Sequence, residues 1–404
     1  MSLSIATAPL IDPPCTASAS PTGVRYLDVV DGALIDVFDR NGRTEISFVG
    51  QNGWDPVSAP TRERFLKTRL YQTLGATPWG ALLRASFETV HQSVRRIRKA
   101  STTTDGYRED MDRMFAQAAV GPASKSMLAI DIVEECHAAE VYRGLLDRYR
   151  YDGRPPIVYG EESLFDPSLD LSKEARPVVL LDTVDGTDEV EQGLTGWCSS
   201  AIVYDPRTDR ILGAFVGMAD GTIYFALTAS ADRFVGKCRL AGDDLAIAPN
   251  VHDLAGPSGV AALSDSVVAF YGHKPSRLQS LADHPHYRAL LARMSGSPRA
   301  RIRTQGGQPM MMRLVDRCGY RRVDAVFELI GQAPHDVVAG LHIARLAGAT
   351  LCGLDGQPLD LSAAICRPAA RASRLTYVLA ASRRLAFELL ERDKAGNPIV
   401  QTAY

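Results

Sequence analysis

Apolar residues recur at steps of three and four between Pro78 and Ala100, which predicts an amphipathic helix. A second helix is predicted over roughly Ala129 to Tyr149. The first helix ends with four basic residues, Arg95, Arg96, Arg98 and Lys99. They could face a phosphate, but basic side chains at a helix C-terminus also complement the macrodipole and are commonly solvated, and we favour that interpretation.

Short apolar runs predict strands in the rest of the chain. Three of them, LDVV, ALIDVF and TEISFV, lie between Tyr26 and Gly50 and flank a turn at Asp39–Gly42, which predicts a β extension. Further strands are predicted at Pro155–Tyr159, Pro177–Leu181, Ser199–Tyr204, Ile211–Met218 and Gly221–Leu227.

The second half of the chain alternates strands with helices. The predicted order is strand Ser266–Tyr271, helix His286–Met294, strand Asp324–Ile330, helix Val337–Ala347 and strand Leu375–Ala381. Such alternation predicts a layered α/β fold. We divide the chain into an N-terminal extension (1–70, with a flexible leader and a β-hairpin), an α+β half (71–245) and an α/β half (246–404).

Composition narrows the class of protein. The 404 residues are 46% hydrophobic and carry a formal net charge of −2, so nothing indicates binding to a nucleic acid polymer or an anionic membrane. The N-terminus lacks the basic residues and continuous apolar core of a signal peptide, so we do not expect export. No run approaches the ~18 apolar residues of a membrane span, so we do not expect one. The seven cysteines lack CxxC spacing, which favours reduced thiols and a cytoplasmic location.

The segment Val178–Asp188 (VVLLDTVDGTD) holds the most informative chemistry. An apolar strand there delivers Asp182 and Asp185, and open α/β sheets bind ligands at such strand ends. Mg²⁺ prefers oxygen ligands, so both carboxylates are candidate ligands. Gly186 and Thr187 then open a helical turn whose N–H groups can receive a phosphate oxygen.

Two other interpretations of this segment stay open. An Asp before a Gly-Thr turn is often only a turn former or a helix cap. The haloacid dehalogenase phosphatases have a strand that ends in DxDGT, with the first Asp as nucleophile, but the residue two before Asp185 is Thr183. No GxSxG, Walker or GxGxxG motif and no HExxH pair is present.

Three motifs together resemble the inositol monophosphatase and fructose-1,6-bisphosphatase superfamily. Gly160–Ser163 (GEES) precedes the central segment, and Pro334-His335-Asp336 opens a later apolar helix, in the order of the family's GEES, DPxDGT and WDxAAG motifs. Leu128–Asp131 matches the family's TxxD segment, and the similarity covers about residues 75 to 392. The resemblance implies a layered αβαβα sandwich and a Mg²⁺-dependent, Li⁺-sensitive phosphatase.

The resemblance also implies roles for individual residues. Two or three Mg²⁺ ions would be held by Glu161, Asp182, Asp185, Asp336 and the carbonyl of Val184, with Asp131 beside a third, weaker site. Thr187 and Glu161 would orient the attacking water, and the amides of Gly186 and Thr187 would hold the phosphate. Asp185 and Glu328 would meet the leaving-group side of the substrate.

Several positions depart from the family pattern. Thr183 replaces Pro and His335 replaces Trp, but no metal carboxylate is lost. Asp188 adds a carboxylate beside the phosphate pocket, which disfavours a bisphosphate because a second anionic group would be repelled. Gln308 lies in a segment that resembles the family's substrate-pocket segment, so it is predicted to contact substrate together with Asp188.

We therefore predict a phosphatase acting on a small-molecule ester, either a sugar or cyclitol phosphate or a nucleotide or nucleoside phosphate. The alternative is a noncatalytic phosphometabolite-binding or regulatory protein on the same fold. The presence of all four metal carboxylates favours the enzyme. Family members are often dimers, so a homodimer is an expectation by analogy.

Overall fold

The computed structural model describes residues 24–30, 33–40, 43–50, 53–56, 59–75, 79–102, 126–146, 154–160, 170–191, 193–229, 233–239, 250–272, 275–305, 307–316, 323–366 and 374–391. The predicted leader and Glu161 lie outside these residues.

An antiparallel sheet of four strands forms the N-terminal extension. Its strands are β1 (Val24–Val30), β2 (Ala33–Arg40), β3 (Arg43–Gly50) and β4 (Gly53–Pro56), paired in chain order. Arg40 pairs with Arg43, so Asn41-Gly42 is the connection between β2 and β3. Asn-Gly is the sequence that two-residue hairpin loops favour. The predicted strands on both sides of this connection are confirmed, and residues 41–42 of the predicted turn lie outside the described residues.

A seven-stranded sheet forms the first half of the main body. Its order is β11-β10-β9-β8-β7-β6-β5, antiparallel except for the parallel pair β5 and β6. The strands are β5 (Ile157–Tyr159), β6 (Val178–Asp185), β7 (Cys198–Asp205), β8 (Arg210–Met218), β9 (Thr222–Leu227), β10 (Phe234–Arg239) and β11 (Asn250–Asp253). Every residue of β6 is buried, which explains its continuous apolar run, because helices cover both faces of the sheet.

A five-stranded sheet forms the second half. Its order is β13-β12-β14-β16-β15, with β12 parallel to β13 and β14, and β16 antiparallel to both of its neighbours. The strands are β12 (Val267–Tyr271), β13 (Arg301–Gln305), β14 (Ala325–Gln332), β15 (Thr350–Cys352) and β16 (Leu375–Ala380).

The helices form three layers that alternate with these two sheets. They are α1 (Ala59–Gly75), α2 (Gly80–Thr102), α3 (Ser126–Leu146), α4 (Thr187–Glu191), α5 (Pro275–Asp283), α6 (Pro285–Ser295), α7 (Gly307–Val315), α8 (Val338–Leu346), α9 (Leu361–Cys366) and α10 (Arg383–Leu389). Helices α1 to α3 pack on the outer face of the seven-stranded sheet, α7 and α8 lie between the sheets, and α5 and α10 pack outside the five-stranded sheet. The predicted αβαβα sandwich is confirmed.

The apolar cores of the described residues lie between these layers. The core between the sheets contains Met310–Met312 of α7 and Val338 of α8, all completely buried. The outer core of the first half joins Phe87 of α2 to Phe215 of β8 and also takes in Leu70 of α1. Helix α1 was not predicted, and the proposed boundary at residue 71 falls inside it. None of the described helices is both long and apolar enough to cross a membrane.

The basic end of α2 has a structural use that neither sequence interpretation included. Arg96 forms hydrogen bonds and an ion pair with Glu134 of α3, the shortest from Nη2 to Oε2 at 2.6 Å. The Glu134 side chain is completely buried, whereas Arg98 and Lys99 are exposed. Arg96 therefore links α2 to α3, the helix that carries Asp131.

Candidate active site at the end of strand β6

A β-bulge brings the two central carboxylates to one side of the sheet. Asp182 pairs with Ser200 and Asp185 pairs with Cys198, so three steps along β6 oppose two steps along β7. In a regular strand, residues three apart point to opposite faces. The extra residue in β6 brings both aspartates to the same face. This is the face of Cys198 and Ser200, which is directed toward the core between the sheets.

Both carboxylates are almost completely enclosed. Asp182 is 3% exposed and Asp185 is 6% exposed. The Cys198 thiol donates to Asp185 Oδ2 at 3.6 Å. Burial, and then the negative charges of Asp185 and Asp182, raise the pKa of that thiol well above its ordinary value, with a smaller effect from Asp336. Cys198 is therefore a neutral donor to Asp185 and not a thiolate nucleophile.

Thr187 and Asp131 form a hydrogen-bonded pair beside the bulge. Thr187 Oγ1 lies 3.1 Å from Asp131 Oδ2 and 3.2 Å from the carbonyl oxygen of Val184. Thr187 is the first residue of α4, and Gly186 before it has φ of +95°, a conformation that favours glycine. Thr183, which replaces the family's Pro, donates from Oγ1 to the Asp131 carbonyl at 3.5 Å and adds a link between β6 and α3.

The N-terminus of α7 meets the Asp185 carboxylate directly. The Gln308 N–H donates to Asp185 Oδ2 at 2.8 Å. A Cβ on Gly307 would lie 2.7 Å from the same oxygen, so only glycine admits this approach. The Gln308 side chain is completely buried, with Nε2 donating to Ser200 and Oε1 accepting from the Gly340 N–H. The contacts that the structure shows for Gln308 are thus internal, and its predicted contact with substrate stays a prediction.

Asp336 approaches the same site from the other half of the molecule. It lies two residues before α8, and its Oδ1 is 3.0 Å from His335 Nε2. The charge of Asp336 acts on Tyr271 together with that of Asp185. Burial first, and then the charges of Asp185 and Asp336, raise the pKa of Tyr271 above its ordinary range. The charges of these three predicted metal carboxylates thus all act on Tyr271, and their joint binding of an ion stays a prediction.

Glu328 forms an ion pair and hydrogen bonds within the protein. Its side chain is 2% exposed, and Oε1 accepts from Arg277 Nη2 at 2.7 Å and from the N–H groups of Ile330 and Gly331. The Arg277 guanidinium also lies 4.5 Å from the centre of the Tyr271 ring. Contact between Glu328 and a leaving group stays a prediction, and the contacts that the structure shows are internal.

The donor chemistry of the site fits a hard cation. Asp182, Asp185 and Asp336 offer carboxylate oxygens, and Val184 offers a carbonyl oxygen, which are the ligand types that Mg²⁺ prefers. Glu161 and the side chain of Asp188 lie outside the described residues. Among the described residues, no group of three or more His, Cys, Asp and Glu side chains is close enough to hold an ion.

Sequence reasoning missed Cys198 and Arg277, as well as Glu135, a buried carboxylate one helical turn beyond Asp131. Glu135 is in contact with Gly160, immediately before the predicted ligand Glu161. Its spacing of four residues from Asp131 puts both on one helix face, a signal that the sequence offered. Cys198 and Arg277 gave no comparable signal, because their partners are distant in the chain.

Several solved structures with a similar fold are inositol monophosphatases. Inositol monophosphatase II from Staphylococcus aureus matches with a TM-score of 0.50 and 17% identity, over 77% of this chain and 92% of that chain. An inositol monophosphatase from Anabaena (Nostoc) matches with a TM-score of 0.49 and 14% identity, over 78% of this chain and 96% of that chain. Mycobacterium tuberculosis SuhB matches with a TM-score of 0.47 and 18% identity, over 79% and 98%.

No protein-family model matches the sequence, and no curated protein matches it. The structural match to the Staphylococcus aureus protein, at 17% identity, speaks for the fold alone. Taken with the layer order and the two sheets, it leads to one conclusion: this chain has the inositol monophosphatase fold.

Proposed function

We propose that the protein is a Mg²⁺-dependent phosphatase that hydrolyses a small phosphate monoester with an activated water. The ester would be that of a sugar or cyclitol, or a nucleotide or nucleoside phosphate. The observation that carries the proposal is the Thr187–Asp131 hydrogen bond beside the bulged carboxylates of β6. A helix cap alone would not account for two enclosed aspartates on one face with this pair next to them.

Asp182, Asp185, Asp336, Glu161 and the Val184 carbonyl would hold two or three Mg²⁺ ions. When bound, these ions would lower the pKa of a water molecule and neutralise charge on the phosphate. Enclosed carboxylates repel one another at low dielectric, so a cation would also relieve the cost of keeping them ionised.

Thr187 and Asp131 supply the proton pathway in this proposal. An ionised Asp131 carboxylate can only accept hydrogen bonds, so the single Thr187 hydroxyl proton is donated to it. The lone pairs of Thr187 Oγ1 then accept a hydrogen bond from a water and orient its oxygen toward phosphorus. As the water attacks, its proton passes to Thr187 Oγ1 while the threonine proton passes to Asp131. The ester P–O bond breaks, and the leaving oxygen takes up a proton from solvent.

The phosphate would lie at the start of α4. The N–H of Thr187 belongs to the first turn of this helix, where amide groups have no acceptor within the helix. A glycine at position 186 lets the backbone approach the anion closely. Asp188 follows at once in the sequence, and its charge would disfavour a second phosphate on the same ligand.

A phosphate-release screen tests the proposal. The full chain is incubated with sugar, inositol and nucleotide monophosphates, with and without Mg²⁺. We expect release that needs Mg²⁺, is abolished by excess chelator and is lost in Asp185→Asn. Asp209→Asn is the matched control, because Asp209 lies in the turn at the opposite end of β7 and Asn keeps both the acceptor for Tyr204 and the positive φ of 51°.

The outcomes separate the two candidate functions. Release that persists in chelator, or in Asp185→Asn, would contradict the proposed mechanism. Binding of a phosphate ester without turnover, at saturating Mg²⁺, would favour the noncatalytic alternative. The homodimer and the cytoplasmic location stay predictions.

A further inference from the structure

Gln308 is bonded to three different elements around the site. It is the second residue of α7 and is completely buried. Its N–H donates to Asp185 Oδ2 on β6 at 2.8 Å, its Nε2 donates to Ser200 Oγ on β7 at 2.8 Å, and its Oε1 accepts from the Gly340 N–H on α8 at 2.9 Å. One side chain and one amide thus tie together the strand that carries Asp185, its neighbour and the helix that follows Asp336.

Two of these bonds satisfy helix ends. The N–H groups of Gln308 and Gly340 belong to the first turns of α7 and α8, where no acceptor exists within the helix. Asp185 Oδ2 accepts the first and Gln308 Oε1 accepts the second. The Asp185 carboxylate is therefore part of the cap of α7, and Gln308 caps α8.

The contacts leave little room for adjustment. A Cβ on Gly340 would lie 2.6 Å from Met311 Sδ and 3.3 Å from Gln308 Cβ, so α8 and α7 are already as close as their side chains allow. A Cβ on Gly307 would lie 2.7 Å from Asp185 Oδ2. The position of Asp185 relative to the start of α8, and hence to Asp336, is set through Gln308.

We infer that Gln308 is a positioning residue that fixes Asp185 relative to Asp336 and thereby sets the affinity of the site for a divalent cation. The inference rests on the proposed function, since it concerns the carboxylates that would bind Mg²⁺. In this role Gln308 needs no direct contact with the cation. Its effect is transmitted through the oxygen that it holds.

Calorimetric titration of the full chain with MgCl₂, without substrate, measures this affinity directly. Gln308→Met keeps the length and apolar volume of the side chain but removes both side-chain bonds. A net loss of roughly 1.4 kcal/mol in binding corresponds to about a tenfold rise in the Mg²⁺ dissociation constant, and we expect a rise of that size. Ser200→Ala removes one of the bonds and should give a rise of about threefold.

Thr228→Val is the matched control. Its hydroxyl is also buried and donates to a backbone carbonyl, that of Ile211 at the start of β8, at the opposite end of β7 from Cys198. Urea unfolding should show that both Thr228→Val and Gln308→Met lower stability, whereas only Gln308→Met changes the Mg²⁺ dissociation constant. A role confined to stability would leave that constant the same in both variants.

Two results would overturn the inference. One is an unchanged Mg²⁺ dissociation constant in a folded Gln308→Met protein. The other is an unchanged Mg²⁺ dissociation constant in Ser200→Ala, which decides the matter if Gln308→Met does not fold. The proposed function fails separately, by a wild-type chain that neither binds Mg²⁺ nor releases phosphate.

Discussion

Removal of the Arg277 cation should expose how costly the buried Glu328 carboxylate is. Glu328 is 2% exposed and Arg277 is 12% exposed, so solvent screens their pair weakly. Taking one partner from such a pair typically costs about 3–5 kcal/mol, because the other charge stays buried. We expect Arg277→Met to lower the free energy of unfolding at pH 8 by about 3 kcal/mol or more.

The loss should depend on pH in a defined direction. Burial raises the pKa of Glu328, while Arg277 and the N–H groups of Gly331 and Ile330 lower it in part. The folded state therefore holds this proton more tightly than the unfolded state, and stability from this group falls as pH rises from the unfolded pKa through the folded one. Without Arg277 the pKa of Glu328 in the folded state rises further, so the pH range over which stability falls extends to higher pH. The free energy of unfolding that Arg277→Met loses is therefore smaller at pH 5 than at pH 8.

Urea unfolding of wild type, Arg277→Met and the double variant Arg277→Met/Glu328→Gln, each at pH 5 and pH 8, measures these differences. The neutral amide can still accept from Ile330 and Gly331, so the double variant should regain stability at pH 8 and lose the pH dependence. An equal loss at both pH values, or a double variant no more stable than Arg277→Met, would refute the reasoning.

Three further changes test other parts of the structure. Arg96→Met should lower the free energy of unfolding by about 2 kcal/mol in urea titrations, less than for a fully enclosed pair because Arg96 is 30% exposed, although Glu134 is not exposed at all. Gly186→Ala should lower stability by about 1–3 kcal/mol and reduce phosphate release, since φ is +95° and the new Cβ would lie 3.2 Å from Trp197. Tyr142→Phe should cost about 1 kcal/mol by thermal unfolding, through loss of one buried hydrogen bond, with no change in release.

The sequence predicted the elements around the site well, because their apolar patterns are local. The run Val178–Leu181 predicted β6, and steps of three and four residues predicted α2. The helix predicted at Val337–Ala347 agrees with α8 within a residue at each end. The bulge between Asp182 and Asp185 was beyond prediction, since it exists only in the register with β7. Spacing alone would have put the two carboxylates on opposite faces.

Helix α7 shows a different limit. Its sequence, GQPMMMRLV, begins with a glycine, and its apolar residues are too continuous to give a clear helical period. Pro309 in the first turn was a usable signal for a helix start. The role of Gln308 was not predictable, because its partners on β7 and α8 are far away in the chain. For the same reason Arg96, which is typical of a solvated helix end, is in fact paired across to α3.

Three helices begin next to carboxylates that are predicted to bind metal. Helix α4 begins two residues after Asp185, α7 begins against Asp185 itself, and α8 begins two residues after Asp336. Each N-terminus carries orphan N–H groups and a partial positive charge, which stabilises nearby anions. The layered topology therefore concentrates positive helix ends where the sequence concentrates acidic side chains. Because a helix end offsets only a fraction of one charge, a divalent cation would relieve the remaining repulsion. Under the proposed function, metal affinity and helix packing would therefore be coupled at this site.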